Sequence, residues 1–146
     1  MNLQEAAKNP LALKFRIPDR PTPLARARMG RNRVFDPQKD RKLVIGLAIR
    51  QQMEERELLD EPIFVFMDFY FTPPGNSSQA RQDALMGQPY PKRVDIDNLC
   101  KWVLDVCNEI VYRDDSIVCG ILARKLYGNS CTEIVMLPWG QYEKGL

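Results

Sequence analysis

Residues 63–71 read Ile63-Phe64-Val65-Phe66-Met67-Asp68-Phe69-Tyr70-Phe71, an almost unbroken apolar run in a chain of 146 residues. Successive side chains of a strand point to opposite faces, and here both faces are largely apolar. A strand that is covered on one side only shows alternation instead. The run therefore predicts a central strand that is buried on both faces.

Helical patterns stand on either side of this strand in the sequence. Asp36-Pro37 resembles a helix cap followed by a proline in the first turn, which predicts a helix to about Leu59 with Leu43, Leu47 and residues 50–53 on one side. A second helix is predicted from about Ile96 to Ile110. Its core-facing arc consists of Leu99, Val103, Val106 and Ile110.

Shorter elements complete the predicted order, β-α-β-α-β-β. Residues 14–17 form a first strand, and residues 117–127 and 132–137 form a hairpin around Gly128-Asn129. Residues 1–10 are expected to be a flexible tail and residues 72–92 a long loop, with a short helical piece at 79–86. We predict a single α+β domain with a mixed sheet and two main helices.

Composition narrows the chemistry that the chain can perform. It contains no histidine, which excludes histidine-assisted nucleophiles and histidine-ligated metals. Its four cysteines are in no CxxC pair, so reduced thiols are expected rather than a zinc site. Residues 1–50 hold twelve Lys/Arg and four Asp/Glu, a net charge of +8, which leaves −6 for residues 51–146. A basic half attracts polyanions, although such clustering also occurs on ordinary solvated surfaces.

No apolar run approaches the roughly 20 residues that cross a bilayer, and Met1 to Pro10 contain no export signal. A cytoplasmic protein is expected.

A compact set of polar residues surrounds the start of the second helix, at Arg93-Val94-Asp95-Ile96-Asp97-Asn98-Leu99-Cys100-Lys101. Asp97 and Lys101 are four residues apart and share a helix face, and Asp95 lies just before the helix. Asp114-Asp115-Ser116 adds further carboxylates. Such oxygens suit Mg²⁺, which assists phosphodiester cleavage without histidine. The same residues also fit structural roles, as a helix cap, a dipole partner, an ion pair and a turn.

The motifs Asp95-Ile96-Asp97-Asn98-Leu99-x-Lys101, Leu104-Asp105 and Tyr112-x-Asp114-Asp115-Ser116-x-Val118 together resemble the signature of RusA-like Holliday junction resolvases. Pro23 to Arg28 and Val34-Phe35-Asp36-Pro37 are similar to the phage and prophage branch, and Arg124-Lys125-Leu126-Tyr127 to the strand after the acidic turn. The resemblance covers residues 13–136. The sequence departs from the family pattern at Arg26-Ala27-Arg28, where the family has Arg-Pro-Arg.

The resemblance implies a homodimeric, Mg²⁺-dependent endonuclease that nicks four-way DNA junctions symmetrically, with Mn²⁺ as a substitute metal. It assigns metal binding to Asp95, Asp97 and Asp115, catalysis also to Lys101, and an accessory role to Asp114. The expected DNA contacts are basic: Arg26, Arg28, Arg31, Arg33, Lys92, Arg93 and Lys125. Two alternatives stay open, a non-catalytic module that binds branched DNA and a related nuclease that acts on forks or flaps. The strand 63–71 and Trp102 are candidates for a contribution to the dimer interface.

Overall fold

The computed structural model describes residues 1–25 and 28–145. The strands are β1 Leu13–Pro18, β2 Arg28–Gly30, β3 Arg33–Phe35, β4 Ile63–Phe71, β5 Val118–Tyr127 and β6 Cys131–Pro138. The helices are α1 Leu3–Ala6, α2 Lys39–Met53, α3 Gln79–Leu85, α4 Ile96–Cys107 and α5 Trp139–Lys144, with a 3₁₀ turn at Asp115–Ile117. The α+β class and the order of the main elements are as predicted.

A mixed four-stranded sheet, in the order β1-β6-β4-β5, forms the centre of the molecule. β4 pairs in parallel with β5 and antiparallel with β6. Every residue of β4 except Tyr70 is buried. The prediction of a central strand is confirmed.

The predicted hairpin of the last two strands is wrong, because β4 lies between β5 and β6. The connection passes the end of β4, where the Gly128 amide donates to the Phe71 carbonyl at 2.9 Å. A Cβ on Gly128 would lie 2.6 Å from Cδ1 of Tyr70, so the crossing needs glycine. An apolar strand such as β4 is most stable in the interior of a sheet, with hydrogen-bonded neighbours on both edges. This preference outweighs the tendency of Gly128-Asn129 to form a tight hairpin turn.

Two hydrophobic clusters cover the two faces of the sheet. The first packs α2 and α4 against one face and includes Trp102. The second packs α1 and α5 against Phe64 and Phe66. β4 and Trp102 are therefore internal, and the expectation that they contribute to a dimer interface is wrong.

The N-terminal residues also differ from the prediction of a flexible tail. Leu3 and Ala6 are buried in the second cluster, because α1 covers sheet surface that would otherwise be exposed.

The two main helices are shorter than predicted. α2 begins after Asp36, whose Oδ1 accepts from the Gln38 amide at 2.9 Å, and it ends at Glu54, which has a φ of 56°. Its buried side consists of Ile45, Gly46, Ile49 and Met53, whereas Leu43 and Leu47 of the predicted side are exposed. The α4 arc of Leu99, Val103 and Val106 is buried as predicted, and Ile110 packs on the core from beyond the helix end.

No helix within the described ranges combines the length and the apolar character that crossing a membrane requires.

Candidate active site

The start of α4 presents two carboxylates to solvent. Asp95 occupies the N-cap position, but among the described residues its side chain makes no capping hydrogen bond. Asp97 lies in the first turn, with Oδ2 4.0 Å from the Lys101 Nζ, and both side chains are exposed. Burial raises the pKa of the Cys100 thiol to about 11, and the negative charge of nearby Asp97 contributes to the rise. Asp95 therefore does not act as a side-chain cap of α4 within the described structure.

The acidic turn before β5 is built by Asp114. Its Oδ2 accepts from the Ser116 amide at 3.0 Å, and hydrogen bonds from Ser116 lower the pKa of Asp114. Asp115 follows as the half-buried first residue of the 3₁₀ turn. Asp114 therefore holds the turn, and Asp115 is the carboxylate that the turn presents.

Buried Tyr112 connects this turn to α4. Its hydroxyl donates to the Leu104 carbonyl at 2.9 Å. Burial raises the pKa of Tyr112, and the nearby charges of Asp115, Asp105 and Asp114 raise it further. The turn packs on α4, so the two acidic segments lie on neighbouring elements.

The predicted metal ligands do not form a ready-made cluster. Within residues 1–25 and 28–145, no three Asp, Glu or Cys side chains converge closely enough to hold a metal ion. Repulsion favours such separation, since two carboxylates 4 Å apart repel by ~4 kcal/mol at an effective dielectric of 20. The donor chemistry still fits, because exposed carboxylate oxygens are what Mg²⁺ uses, often only one or two of them with several waters.

Lys125 has a role that the sequence did not indicate. Its Nζ donates to the carbonyl oxygens of Val94 at 2.7 Å and Lys92 at 3.0 Å. The segment before α4 is held further by backbone bonds to β5, from Tyr90 to the Lys125 carbonyl and from Tyr127 to the Gln88 carbonyl. Lys125 thus fixes the backbone that leads directly into Asp95. Its predicted contact with DNA stays a prediction.

Lys42 was missed entirely by sequence analysis. Its Nζ lies 2.7 Å from Asp36 Oδ2 and 2.8 Å from Asp105 Oδ2, and so connects α2 and the segment before it to α4. Burial alone would lower the pKa of Lys42, but the bonds to Asp105 and Asp36 outweigh it and raise the pKa. Nothing local in the sequence marks this lysine among its basic neighbours.

The predicted DNA-contacting residues fall into two places. Arg31 and Arg33 are exposed at the β2–β3 turn, and Lys92 and Arg93 are exposed three and two residues before Asp95. Arg26 and the side chain of Arg28 lie outside the described residues.

Two further arginines, Arg20 and Arg41, line a shallow notch of about 410 Å³ together with Asp19 and Thr22. The Arg20 Cζ lies 5.0 Å from the Phe71 ring centroid, and the Arg41 Cζ lies 5.6 Å from that of Trp102. In the described part of the chain, neither guanidinium is in an ion pair. The loop of the notch reaches α4 through the Leu24 amide, which donates to the Asn98 carbonyl at 2.9 Å.

Comparison with known protein families shows which family the chain belongs to. The family model described as "Endodeoxyribonuclease RusA" matches residues 18–136. The chain belongs to the RusA endodeoxyribonuclease family. The match begins at the last residue of β1 and ends within β6, so it contains α2, α4 and the acidic turn.

A RusA-family nuclease is thereby favoured over a non-catalytic DNA-binding module, and the resemblance that the motifs indicated is confirmed. A search of curated proteins finds no match.

Proposed function

We propose that this RusA-family protein is a Mg²⁺-dependent, structure-specific endodeoxyribonuclease that resolves four-way DNA junctions by paired symmetric nicks. The observation that carries the proposal is the family match over residues 18–136, which contains the complete acidic set and Lys101. The setting that we propose for this activity is DNA recombination and repair in the cytoplasm.

Asp95, Asp97 and Asp115 are the residues that would hold the metal. A bound Mg²⁺ supplies positive charge at the phosphate and acidifies water, and Mn²⁺ has similar ligand preferences. Asp95 and Asp97 are exposed, Asp115 is half-buried, and within the described residues the three carboxylates are not preassembled, so a bound cation would draw them together. Asp114 takes part indirectly by holding the turn that presents Asp115.

The reaction is hydrolysis of one phosphodiester bond. A water oxygen bonds to phosphorus, the bond from phosphorus to the 3′ oxygen breaks, and the leaving oxygen takes a proton. The products carry a 5′-phosphate and a 3′-hydroxyl. Lys101, exposed beside Asp97, stabilises the negative charge that grows on the phosphate oxygens.

Basic segments on both sides of the acids bind the DNA backbone. The residues proposed for phosphate contacts are Arg26, Arg28, Arg31, Arg33, Lys92 and Arg93. The expected DNA contact of Lys125 is an alternative to its role in holding the Val94 backbone, and experiment can separate the two. Lys92 and Arg93 lie three and two residues before Asp95, so they would hold a strand against the start of α4.

Paired nicks require two active sites. A four-way junction has approximate two-fold symmetry, and a two-fold homodimer presents its sites to opposing strands. We therefore propose that the homodimer is the active form.

Cleavage mapping on a mobile four-way junction tests the proposal, with replication-fork, flap and linear duplexes as matched substrates. The expected result is ligatable nicks at symmetry-related positions near the branch point, dependent on Mg²⁺ and abolished by EDTA. Preferential cutting of forks or flaps would assign the protein to that alternative. Junction binding without any cleavage would contradict a nuclease function.

A further inference from the structure

The outer side of α2 is an apolar surface in an exposed position. Leu43, Val44 and Leu47 are 59%, 65% and 62% exposed, whereas a helix of this length ordinarily turns such residues inward. The β2–β3 hairpin, which precedes α2 in the chain, exposes three more apolar side chains, with Met29 78%, Val34 62% and Phe35 40% exposed. We call these six residues the α2 surface.

Charges of opposite sign lie at the two ends of the helical part of this surface. Asp40 is in the first turn of α2 and Arg50 in the last. Their separation of ten residues corresponds to about 15 Å along the helix. Among the described residues, neither side chain takes part in an ion pair.

This pattern is complementary to itself when the helix is reversed. In an antiparallel pair of α2 helices with the two-fold axis at residue 45, Leu43 faces Leu47 of the second copy. Asp40 then faces Arg50 of the second copy, and the symmetry repeats both contacts. An apolar centre with a polar rim is the usual anatomy of a protein interface.

A groove runs beside α2 and could receive side chains of a second copy. Its volume is about 280 Å³, and Leu43, Leu47, Arg50 and Asp105 are among the residues that line it. Side chains from a reversed copy of α2 would therefore meet a groove that is lined by both apolar and charged residues.

We propose that the α2 surface is the homodimer interface of this protein, formed by antiparallel pairing of α2 with α2 of a second copy. This inference rests on the proposed function only for the existence of the dimer. The choice of surface follows from exposure, charge and symmetry. The active-site end of α4 stays free, because Asp95, Asp97 and Lys101 lie outside the α2 surface.

Charge reversal gives the sharpest test, measured by sedimentation of purified protein at micromolar concentration. Asp40→Arg and Arg50→Asp each place like charges opposite one another twice, and each should weaken the dimer at least tenfold. An equimolar mixture of the two variants restores both opposite-charge pairs, so a heterodimer should form. Both substitutions oppose the helix dipole, which lowers the stability of the fold in either case and cannot explain the rescue.

Leu43→Glu and Leu47→Glu should give monomers, while Leu11→Glu, at a residue 57% exposed outside the α2 surface, should leave the dimer intact. Thermal melts verify that each variant is folded. The proposal would be overturned if Leu47→Glu remained as dimeric as the wild type. It would also be overturned if the mixed Asp40→Arg and Arg50→Asp variants formed no heterodimer. A monomeric wild type would contradict both this interface and the dimeric form of the proposed function, whereas the junction-cleavage assay tests the nuclease separately.

Discussion

The Lys125 ammonium donates a 2.7 Å hydrogen bond to the Val94 carbonyl, one residue before Asp95. A lysine on β5 thereby holds the segment that carries the first proposed metal ligand. Lys125 was expected to touch DNA, so the two roles need to be separated by experiment.

Lys125→Met should separate them. If Lys125 positions Asp95, cleavage at saturating junction should fall at least about tenfold, because misplacement of about 1 Å can cost a hundredfold in rate. Amide hydrogen exchange at residues 92–97 should rise even without metal, and the salt dependence of binding should stay unchanged. Lys144→Met, at an exposed residue of α5, is the control. A slope of log affinity against log salt that drops by about one unit, with unchanged turnover, would instead assign Lys125 to a phosphate contact.

The acidic residues should separate binding from cutting. Asp95→Asn, Asp97→Asn and Asp115→Asn should each abolish nicking while junction affinity is kept, because the basic segments remain intact. Ca²⁺ should support binding but little cleavage, since its looser coordination orients water poorly. Gel-shift and nicking assays on the same preparations measure both properties, with Asp83→Asn in α3 as the control. Full activity in Asp97→Asn would remove it from the site.

Thermal melts test the metal site without catalysis. Asp95→Ala should leave the melting temperature in EDTA within about one degree, because Asp95 makes no capping hydrogen bond within the described structure. Loss of a working cap would cost about 1 kcal/mol, or a few degrees. Mg²⁺ should stabilise the wild type, by ~2.7 kcal/mol at one hundred times its dissociation constant. Equal stabilisation of wild type, Asp97→Asn and Asp115→Asn would show that these carboxylates do not bind the ion.

The bridge at Lys42 predicts a pH-dependent stability. Lys42→Met removes two charged hydrogen bonds made by a side chain that is only 16% exposed. The substitution should lower the free energy of unfolding by about 2 kcal/mol and the melting temperature by roughly 5–10 °C. The pKa of Lys42 is raised from 10.5, so its contribution is present below pH 10.5 and is lost as the pH rises through the folded value.

The pKa of Asp36 is lowered from 3.8, so its contribution is present above pH 3.8 and is lost as the pH falls through the folded value. The gap between the melting temperatures of wild type and Lys42→Met should therefore be widest near neutral pH and close at both extremes. Lys39→Met, an exposed neighbour, is the control. A constant gap from pH 3 to 11 would show that packing, not charge, is responsible.

The notch between Arg20 and Arg41 should hold a DNA phosphate. Each guanidinium lies against an aromatic ring, and within the described residues neither is neutralised by an ion pair, so both charges can act on an anion in the notch. Arg20→Ala and Arg41→Ala should each lower the salt slope of junction binding by about 0.9. Fluorescence anisotropy in EDTA measures this without cleavage, and Arg16→Ala, on an exposed residue of β1, is the control. Unchanged slopes in both variants would exclude a phosphate from the notch.

The sequence alone determined the α+β class, the central position of β4 and the buried arc of α4. These follow from local periodicity, because both faces of β4 are apolar and Leu99, Val103 and Val106 recur at helical spacing. It also placed Asp97 and Lys101 on one face of α4, since residues four positions apart in a helix are neighbours.

Only the tertiary structure decided which strands pair and which helix face is buried. β4 separates β5 from β6, and α2 turns Ile45 and Ile49 inward instead of Leu43 and Leu47, because sheet partners and helix orientation depend on residues far away in sequence. The bonds of Lys42 to Asp105 and of Lys125 to Val94 span 63 and 31 positions. No local pattern encodes such contacts, since a flexible side chain selects its partner only after packing has brought the elements together.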